Sequence, residues 1–386
     1  MNGRRRLAAW TAAAAFTVPT MAGCTAGEPE PQVSSPASPE ADATGVEGAQ
    51  EVLAAGLDAP WSIAFHDGTA LISERDSARI LELSGGTLRE AGTIGNAAGQ
   101  GEGGLLGIAV RDGFLYSYLT AGGESRIERR TLTGSPGSLG LGQVETILDG
   151  IEAGPIHNGG RMAFGPDGAL YATTGDAGDR ASAQDLQSLN GKILRLAPDG
   201  SVPEGNPFPG SLVYSYGHRN PQGLAWDAGG TLYASEFGQN TWDELNVILP
   251  GGNYGWPEVE GIAGESRYLD PVQQWVPADA SPSGIAVTGG SVFIANLRGE
   301  RLREVPLDAL ESSTEHLAGR HGRLRDVVNA PDGSLWILTN NTDGRGDPGP
   351  DDDQVLRLDP AQWISPSVEG VHSRRGCGIP DPGPGS

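Results

Sequence analysis

Short runs of alternating apolar and polar residues recur along the chain and are separated by glycine-rich turns. Alternation with a period of two is typical of a β-strand that buries one face. The clearest example is segment 223–238, GLAWDAGGTLYASEFG, where two such runs flank a Gly-Gly pair. Because a Gly-Gly pair suits the positive φ angles of a tight hairpin, this segment is predicted to form two antiparallel strands.

The same hairpin pattern appears six times. Each copy has a small apolar strand, an Asp-Gly or Gly-Gly turn, and a second strand rich in β-forming residues. The copies occupy residues 64–75, 109–120, 163–176, 225–238, 286–299 and 328–341. Their turn glycines lie roughly 45 to 60 residues apart, which is about the length of four short strands. The repeats predict an all-β fold, a six-bladed β-propeller with four-stranded antiparallel blades. An all-β sandwich with chance repetition is the alternative.

The intervals around 177–215 and 239–285 are longer than the others. We expect them to form loops on one face of the propeller, near its central channel. Apolar residues of the repeated strands are expected to fill the core between neighbouring blades, for example Leu170, Leu232, Val292 and Leu335.

Both chain ends differ from the repeats in composition. Residues 1–24 combine three arginines, an apolar run and the exit sequence Met-Ala-Gly-Cys, which predicts an export signal. The segment resembles a bacterial lipoprotein signal, in which Cys24 becomes the lipidated N-terminus. The protein is then expected at the cell surface or in the periplasm, with this anchor as its membrane contact. Cleavage near Ala22 followed by secretion is the alternative. The remaining segments are a disordered tether, the propeller domain and a Gly/Pro-rich tail, predicted at 25–50, 51–362 and 363–386.

Charge narrows the range of partners. The net charge of −23 argues against nucleic acid, because an acidic chain repels phosphate backbones. Lys192 is the only lysine, so arginines must supply nearly all the positive charge of an anion site. Four arginines that follow turns at blade edges are expected to form one pocket for a polycarboxylate; ordinary surface ion pairs are the alternative. They are Arg219, Arg298, Arg323 and Arg325.

One histidine is a candidate proton acceptor. His157 lies in a glycine-rich segment rather than on an apolar face, and histidine accepts protons near neutral pH. Asp176 follows a predicted strand, where it could orient the histidine or bind a hydroxyl. A loop histidine bonded to the backbone is the alternative. No GxSxG elbow, P-loop, HExxH or CxxC motif occurs, so the sequence gives no support to hydrolysis by those routes.

Two loop segments are candidate calcium-binding sites. GQNTWDE and GGNYGWP offer carbonyl oxygens and one carboxylate, the ligand types that calcium prefers. The acidic segment 343–354 lacks the spacing of a calcium-binding loop and is expected to be solvated.

Seven motifs together resemble one family, the soluble PQQ-dependent sugar dehydrogenases. They are GEGGLLG, IHNGGRMAFGPDGALYATTGD, YGHRNPQGLAW, SEFGQNTWDELN, GGNYGWP, LRGERL and GRLRDVVNAPDGSLWILTN. This is the glucose/sorbosone dehydrogenase family, and the likeness is greater to its aldose sugar dehydrogenase branch. The likeness runs in order from about residue 50 to about residue 360.

The resemblance implies a six-bladed propeller that oxidises the anomeric hydroxyl of aldose sugars to lactones and passes electrons to an external acceptor. PQQ and calcium are the implied cofactors. His157 matches the family's catalytic base, Asp176 the acidic residue that supports the base or the sugar, and Arg219 a residue near the reactive carbonyl of PQQ. Positions that match cofactor-binding residues are Glu102, His157, Arg219, Asn220, Arg298, Arg323 and Arg325.

The resemblance also implies two calcium sites. Main-chain oxygens of Gly238 and Gln239 match ligands of the calcium ion that binds PQQ. Glu244 and the carbonyl of Tyr254 match a second, structural site.

Two positions depart from the glucose-type members of the family. Arg298 stands where those members carry a lysine, which keeps the charge but changes the geometry. Glu102 stands where they carry a glutamine, and its added charge would change either the basicity of the neighbouring histidine or the sugar preference. Two other readings remain: a binding propeller of the same ancestry that has lost PQQ, and a calcium-dependent lactonase-type propeller. The latter would need Asp, Glu and Asn side chains around a central metal.

Overall fold

The computed structural model of the protein describes residues 50–360. The predicted export signal with Cys24, all but the last residue of the predicted tether, and the predicted tail lie outside the described residues, and their boundaries remain predictions. Within the described range, no helix is long and apolar enough to cross a bilayer.

The described chain is almost entirely β-structure, arranged as six four-stranded antiparallel sheets. Its one helix is a 3-10 turn at Arg180–Ala183. In chain order the strands are β1 (Gln50–Ala54), β2 (Pro60–His66), β3 (Thr69–Glu74), β4 (Arg79–Ser84), β5 (Thr87–Thr93), β6 (Leu105–Arg111), β7 (Phe114–Ala121), β8 (Glu124–Thr133), β9 (Gly140–Glu152), β10 (Met162–Phe164), β11 (Leu170–Thr174), β12 (Lys192–Leu196), β13 (Val213–Tyr216), β14 (Pro221–Trp226), β15 (Leu232–Glu236), β16 (Asp243–Ile248), β17 (Gln273–Trp275), β18 (Pro282–Thr288), β19 (Ser291–Asn296), β20 (Arg301–Pro306), β21 (Thr314–His316), β22 (Leu324–Asn329), β23 (Leu335–Thr339) and β24 (Val355–Leu358).

The six sheets are the blades of a propeller, which confirms the predicted fold class. Blades 1 to 5 each use four consecutive strands, from β2–β5 through to β18–β21. Blade 6 combines β22, β23 and β24 with β1, so the first strand pairs with the last. Gln50 lies opposite Leu358 in this pairing. The ring is therefore closed by hydrogen bonds between distant parts of the chain.

All six predicted hairpins form the first and second strands of the blades. Their turn glycines have φ between 77° and 87°, a region where a side chain would be strained. The two long intervals, 177–215 and 239–285, were expected to be loops, but they are loops only in part. They also contain β12, β13, β16 and β17, because every blade needs four strands.

Six apolar clusters form the core, one between each pair of neighbouring blades. Between blades 1 and 2, for example, Leu71 and Ile80 pack with Leu105 and Leu115. The four residues predicted for the core are all buried. Because each blade is covered only by its neighbours, closing the ring and burying the core occur together.

Strand direction decides which loops meet. In every blade, the turn between the first and second strands lies at one end of the sheet. The loop between the second and third strands, and the connection to the next blade, lie at the other end. These second-to-third loops and blade connections carry most of the residues predicted to do chemistry.

Lys192 fixes one of these loops. Its buried ammonium donates to the carbonyl oxygens of Ser182 (2.7 Å), Ala183 (3.1 Å) and Asn190 (2.6 Å). All three carbonyls belong to the segment between β11 and β12, which also contains Asp176. The single lysine is therefore used inside the fold rather than in an anion pocket.

The segment 249–272, between β16 and β17, runs along blade 3. The amide of Tyr254 donates to the carbonyl of Tyr216 at 2.9 Å, and the amide of Trp256 donates to the carbonyl of Gly217 at 2.9 Å. This path brings Trp256 to the end of the propeller where the chemistry-bearing loops meet.

Candidate active site

His157 and Asp176 form a hydrogen-bonded pair. Nδ1 of His157 lies 2.7 Å from Oδ1 of Asp176. The buried carboxylate also accepts hydrogen bonds from the amide of Gly178 and from the indole N–H of Trp256, both at 2.8 Å. Burial alone would raise the pKa of Asp176, but these hydrogen bonds together hold it below its usual value. The ionised carboxylate orients the imidazole and leaves Nε2 to accept a proton from a ligand.

Glu102 binds the backbone of the same histidine. Its Oε2 accepts the His157 amide at 2.8 Å, and its own amide donates to the carbonyl of Pro155 at 2.9 Å. His157 has φ of +57°, a left-handed conformation that is uncommon for a residue with a side chain. Gly101 allows the approach, because a Cβ there would lie 2.1 Å from the Pro155 oxygen. Glu102 therefore holds the histidine loop in its unusual conformation.

Asn220 and Gln222 connect the histidine loop to an arginine. Oδ1 of Asn220 accepts the amide of Gly159 at 3.1 Å and the side-chain amide of Gln222 at 3.0 Å. Oε1 of Gln222 in turn accepts a hydrogen bond from Arg325 at 3.2 Å. The predicted residue Asn220 therefore stabilises the backbone of the loop that carries the candidate base His157.

Arg325 is a buried cation with neutral partners. It is 7% exposed and donates to Gln222, Asn340 (3.3 Å) and Ser283 (3.4 Å). No carboxylate of residues 50–360 lies within ion-pair distance of its guanidinium. Burial lowers the pKa of Arg325 to about 9, so the group is still charged at neutral pH. A buried guanidinium whose hydrogen-bond partners are all neutral is a candidate site for an anion.

Arg325 lines a cavity with Trp61, Glu102, Gly159, Gln222 and Phe237 among its neighbours. A buried ion pair between Arg161 and Asp326, which lie 2.8 Å apart, stands next to the cavity-lining residue Trp61. The guanidinium of Arg161 lies 4.3 Å from the ring centroid of Trp61. The cavity wall at Trp61 is therefore backed by a second buried arginine.

The other predicted arginines have different environments. Arg323 is paired with Asp343 at 3.0 Å, below the cavity wall. Arg219 donates to the carbonyl of Phe237 at 3.1 Å, lies over the ring of Trp256, and leaves its buried Nε without a hydrogen-bond partner. Arg298 is exposed, although its neighbour Leu297 lines the cavity. These four side chains do not form the expected single pocket, because they lie in the cavity, in a neighbouring pocket, in an ion pair and on the surface. Their assignment to cofactor binding stays a prediction.

Three of the residues predicted to bind calcium line that neighbouring pocket. They are Gly238, Glu244 and Tyr254. Gln239 follows directly, and its amide donates to Glu260 at 2.7 Å. Burial, together with nearby Glu236, raises the pKa of Glu244 to about 8.

The pocket suits an oxygen-liganded cation. Glu236, Glu244 and Glu260 all line it, and the buried Oδ1 of Asn246 beside Glu244 has no hydrogen-bond partner. Residues 50–360 contain no cluster of three or more His, Cys, Asp or Glu side chains arranged to hold a metal by themselves. Main-chain oxygens would therefore have to complete the coordination.

Sequence reasoning missed several residues of the site. Trp256, Gln222 and Arg345 contact predicted residues. Trp256 and Gln222 lie within quoted motifs but were not singled out there, and Arg345 lies outside those motifs. Glu260 accepts hydrogen bonds from the four consecutive amides of residues 239–242. The acidic segment 343–354, expected to be solvated, contains the buried Asp343 and Asp353.

Comparison with known proteins identifies the family and related structures. The family model described as Glucose / Sorbosone dehydrogenase matches residues 57–348. The structure is similar to that of the PQQ-bound aldose sugar dehydrogenase of Streptomyces coelicolor, with 50% identity, a TM-score of 0.77, and coverage of 81% of this chain and 98% of that one.

Two curated relatives carry related names. Quinoprotein glucose dehydrogenase B of Acinetobacter calcoaceticus is 33% identical over 262 residues, covering 57% of this chain and 54% of that protein. The aldose sugar dehydrogenase YliI of Escherichia coli is 28% identical over 341 residues, covering 76% and 90%. The matched region spans the whole set of loops that carry the candidate site, and the chain belongs to the glucose/sorbosone dehydrogenase family.

Proposed function

We propose that the protein oxidises the anomeric hydroxyl of aldose sugars to lactones with PQQ as its cofactor and calcium as its metal. The observation that carries this proposal is Arg325, a buried guanidinium without a carboxylate partner in the cavity beside His157. PQQ is a tricarboxylate, so one of its carboxylates would supply the missing anionic partner. Similarity to a PQQ-bound relative of 50% identity supports the same conclusion.

His157 would act as the general base. With Nδ1 held by Asp176, Nε2 would take the proton of the anomeric hydroxyl, and the imidazolium would be stabilised by the ionised carboxylate. PQQ, when bound, supplies the two-electron acceptor for the hydride that leaves the anomeric carbon. Arg219, whose Nε has no partner, would donate to the oxygen on which negative charge develops.

Calcium would be held by main-chain oxygens of Gly238 and Gln239 near the cofactor, and by Glu244 and Tyr254 at a second position. The acidic pocket supports this assignment, because three glutamates line it and no basic side chain other than Arg219 does. A bound cation would offset the cost of burying Glu244.

Arg323 and Arg298 are proposed to contribute charge to the same anionic cofactor. Arg323 is paired with Asp343, so it would act by holding the cavity wall as well as by attracting carboxylates. Arg298 is exposed, so a bound cofactor would have to draw its side chain inward from the surface.

Export and lipidation at Cys24 are proposed from the sequence of residues 1–24 alone. A cell-surface or periplasmic position would suit transfer of electrons to an external acceptor. Replacement of Cys24 by Ala should move the protein from the membrane fraction to the soluble fraction. Retention of the variant in membranes would contradict the lipid anchor.

Reconstitution tests the activity. A chain that begins at Thr25 would be purified, mixed with calcium and PQQ, and assayed by dye reduction with a panel of aldoses. We expect sugar-dependent reduction that is lost in His157→Ala while PQQ remains bound by calorimetry. Absence of PQQ binding in the presence of calcium would overturn the proposal and favour a binding propeller that takes another anion at Arg325.

A further inference from the structure

An ion pair spans two loops at the wall of the cavity. Oε1 of Glu102 lies 2.9 Å from a guanidinium nitrogen of Arg345, and both side chains line the cavity that contains Arg325. Glu102 comes from the connection between blades 1 and 2, whereas Arg345 comes from the loop between β23 and β24. The Arg345 side chain is 56% exposed and that of Glu102 is 21% exposed. The pair therefore faces both the cavity and solvent.

The backbone beneath this pair is fixed. The amide of Arg345 donates to Oδ1 of Asp343 at 2.9 Å, and Oδ2 of Asp343 accepts from Arg323 at 3.0 Å. Arg75 donates to the Asp343 carbonyl at 3.3 Å. On the other side, Glu102 is held by the His157 amide. Only the outer part of the Arg345 side chain is free to adjust to a ligand.

The charge of this wall is balanced, in contrast to that of the cavity interior. Burial would raise the pKa of Glu102, but the His157 amide and the Arg345 charge lower it overall, so the carboxylate is ionised. Arg325 has only neutral hydrogen-bond partners, whereas the charges of Glu102 and Arg345 sum to zero beside the candidate base. A carboxylate and a guanidinium side by side also present an acceptor and several donors to hydroxyl groups.

We propose that Glu102 and Arg345 act as one specificity-determining pair that selects neutral aldoses over charged ones. This inference rests on the proposed oxidation of aldoses. A neutral sugar can hydrogen-bond to both side chains without breaking the pair. An amino sugar would be repelled by Arg345, and a uronate by Glu102, unless the pair separates and leaves one charge without its partner.

Reciprocal changes in charge test the pair. Two ratios would be measured at pH 6.5: the glucosamine ratio is kcat/KM for glucosamine divided by kcat/KM for glucose, and the glucuronate ratio is defined in the same way. The proteins compared are the wild type, Arg345→Gln, Glu102→Gln and the double variant. Since each ratio compares substrates on one protein, the amount of folded enzyme cancels. Arg345→Gln should raise the glucosamine ratio, and Glu102→Gln the glucuronate ratio, each by about fivefold at low salt. The double variant should return both ratios towards wild type.

A matched control is Arg267→Gln. Arg267 is 66% exposed, is paired with Glu265 at 2.9 Å, and does not line the cavity, so both ratios should stay at their wild-type values. Ratios that are unchanged in Arg345→Gln and Glu102→Gln, or that change equally in Arg267→Gln, would overturn the inference while leaving the aldose oxidation intact.

Failure of the activity itself would be distinguishable. If the wild type oxidised no aldose, the proposed function would fall, and sugar-induced shifts in melting temperature would test the pair instead. In that case Arg345→Gln should strengthen the binding of glucosamine relative to glucose, and Glu102→Gln should strengthen the binding of glucuronate relative to glucose. A ranking that does not depend on the two charges would contradict the pair's role in selection.

Discussion

The indole N–H of Trp256 donates to Oδ2 of Asp176 at 2.8 Å, although the two residues lie 80 positions apart in the chain. The same ring lies against the guanidinium of Arg219, whose central carbon is 5.5 Å from the ring centroid. Trp256 reaches this place because the segment 249–272 runs along blade 3. One side chain therefore connects the carboxylate behind the candidate base with the arginine that would stabilise negative charge.

Replacing Trp256 with Phe should lower kcat by about tenfold with little change in KM. The ring is retained, but Asp176 loses one of the hydrogen bonds that fix it, and hydrogen bonds to charged groups are worth about 1.5–3 kcal/mol. Dye reduction by the PQQ-loaded enzyme measures both constants. Trp226→Phe is the matched control, because Trp226 packs on Tyr171 at the end of blade 4 remote from Asp176. An equal fall in kcat in the control would contradict the role given to the indole.

Replacing Asp176 with Asn should change the acid dependence of stability. The pKa of Asp176 in the folded protein lies below its ordinary value of 3.8, so the folded state binds fewer protons than the unfolded state around that pH. The ionised carboxylate therefore stabilises the protein above about pH 4, and this contribution is lost as the pH falls through the lower folded pKa.

The measurement is the difference in melting temperature between wild type and Asp176→Asn from pH 7 to pH 2. This difference should be constant above about pH 5 and should shrink as the pH falls below 4. Other carboxyls titrate in both proteins and cancel in the difference. A gap that widens on acidification would mean that burial, and not hydrogen bonding, dominates the pKa of Asp176.

The fold could be predicted from local patterns because each blade begins with a hairpin, and a hairpin is a local structure. Asp-Gly and Gly-Gly turns are recognisable in the sequence, and their spacing reports the four-strand unit. The pairing of β1 with β24 was not predicted, because it joins the two ends of the described chain and has no local signal.

The candidate site could be predicted only in part. His157, Asp176 and Arg325 stand out by residue type and by family resemblance. Which arginine would lie buried without a carboxylate was not predictable, since Arg323, two positions earlier, is paired with Asp343. That pairing depends on how the β23–β24 loop folds back over blade 6. The contacts of Trp256 depend in the same way on the path of a long loop, so pattern alone could not reveal them.

Removal of calcium should lower the stability of the wild type more than that of Glu244→Gln. Without a cation, Glu244 is buried near Glu236 and Glu260, where it must either carry an unfavourable charge or bind a proton. The amide of glutamine avoids both costs while keeping the shape. We expect the variant to melt a few degrees above the wild type in chelator and to respond little to added calcium. Scanning calorimetry with and without chelator provides the comparison. Glu258→Gln, an exposed change in the loop that follows β16, should behave as wild type.

Replacing Arg325 with Met should separate stability from cofactor binding. In the cofactor-free protein the guanidinium is buried without a carboxylate partner, and an apolar side chain of similar volume avoids that desolvation. Lost hydrogen bonds to Gln222 and Asn340 oppose this gain, so the net change in unfolding free energy should lie between zero and about 1 kcal/mol in favour of the variant. PQQ affinity should fall at least about 100-fold, because a charge-assisted contact is lost.

Arg325→Lys should recover only part of that affinity, since a lysine cannot bind a carboxylate through two parallel hydrogen bonds. Urea unfolding and titration calorimetry on the same preparations test both effects. A large loss of stability with PQQ affinity retained would show that Arg325 serves the fold and that the anion binds elsewhere.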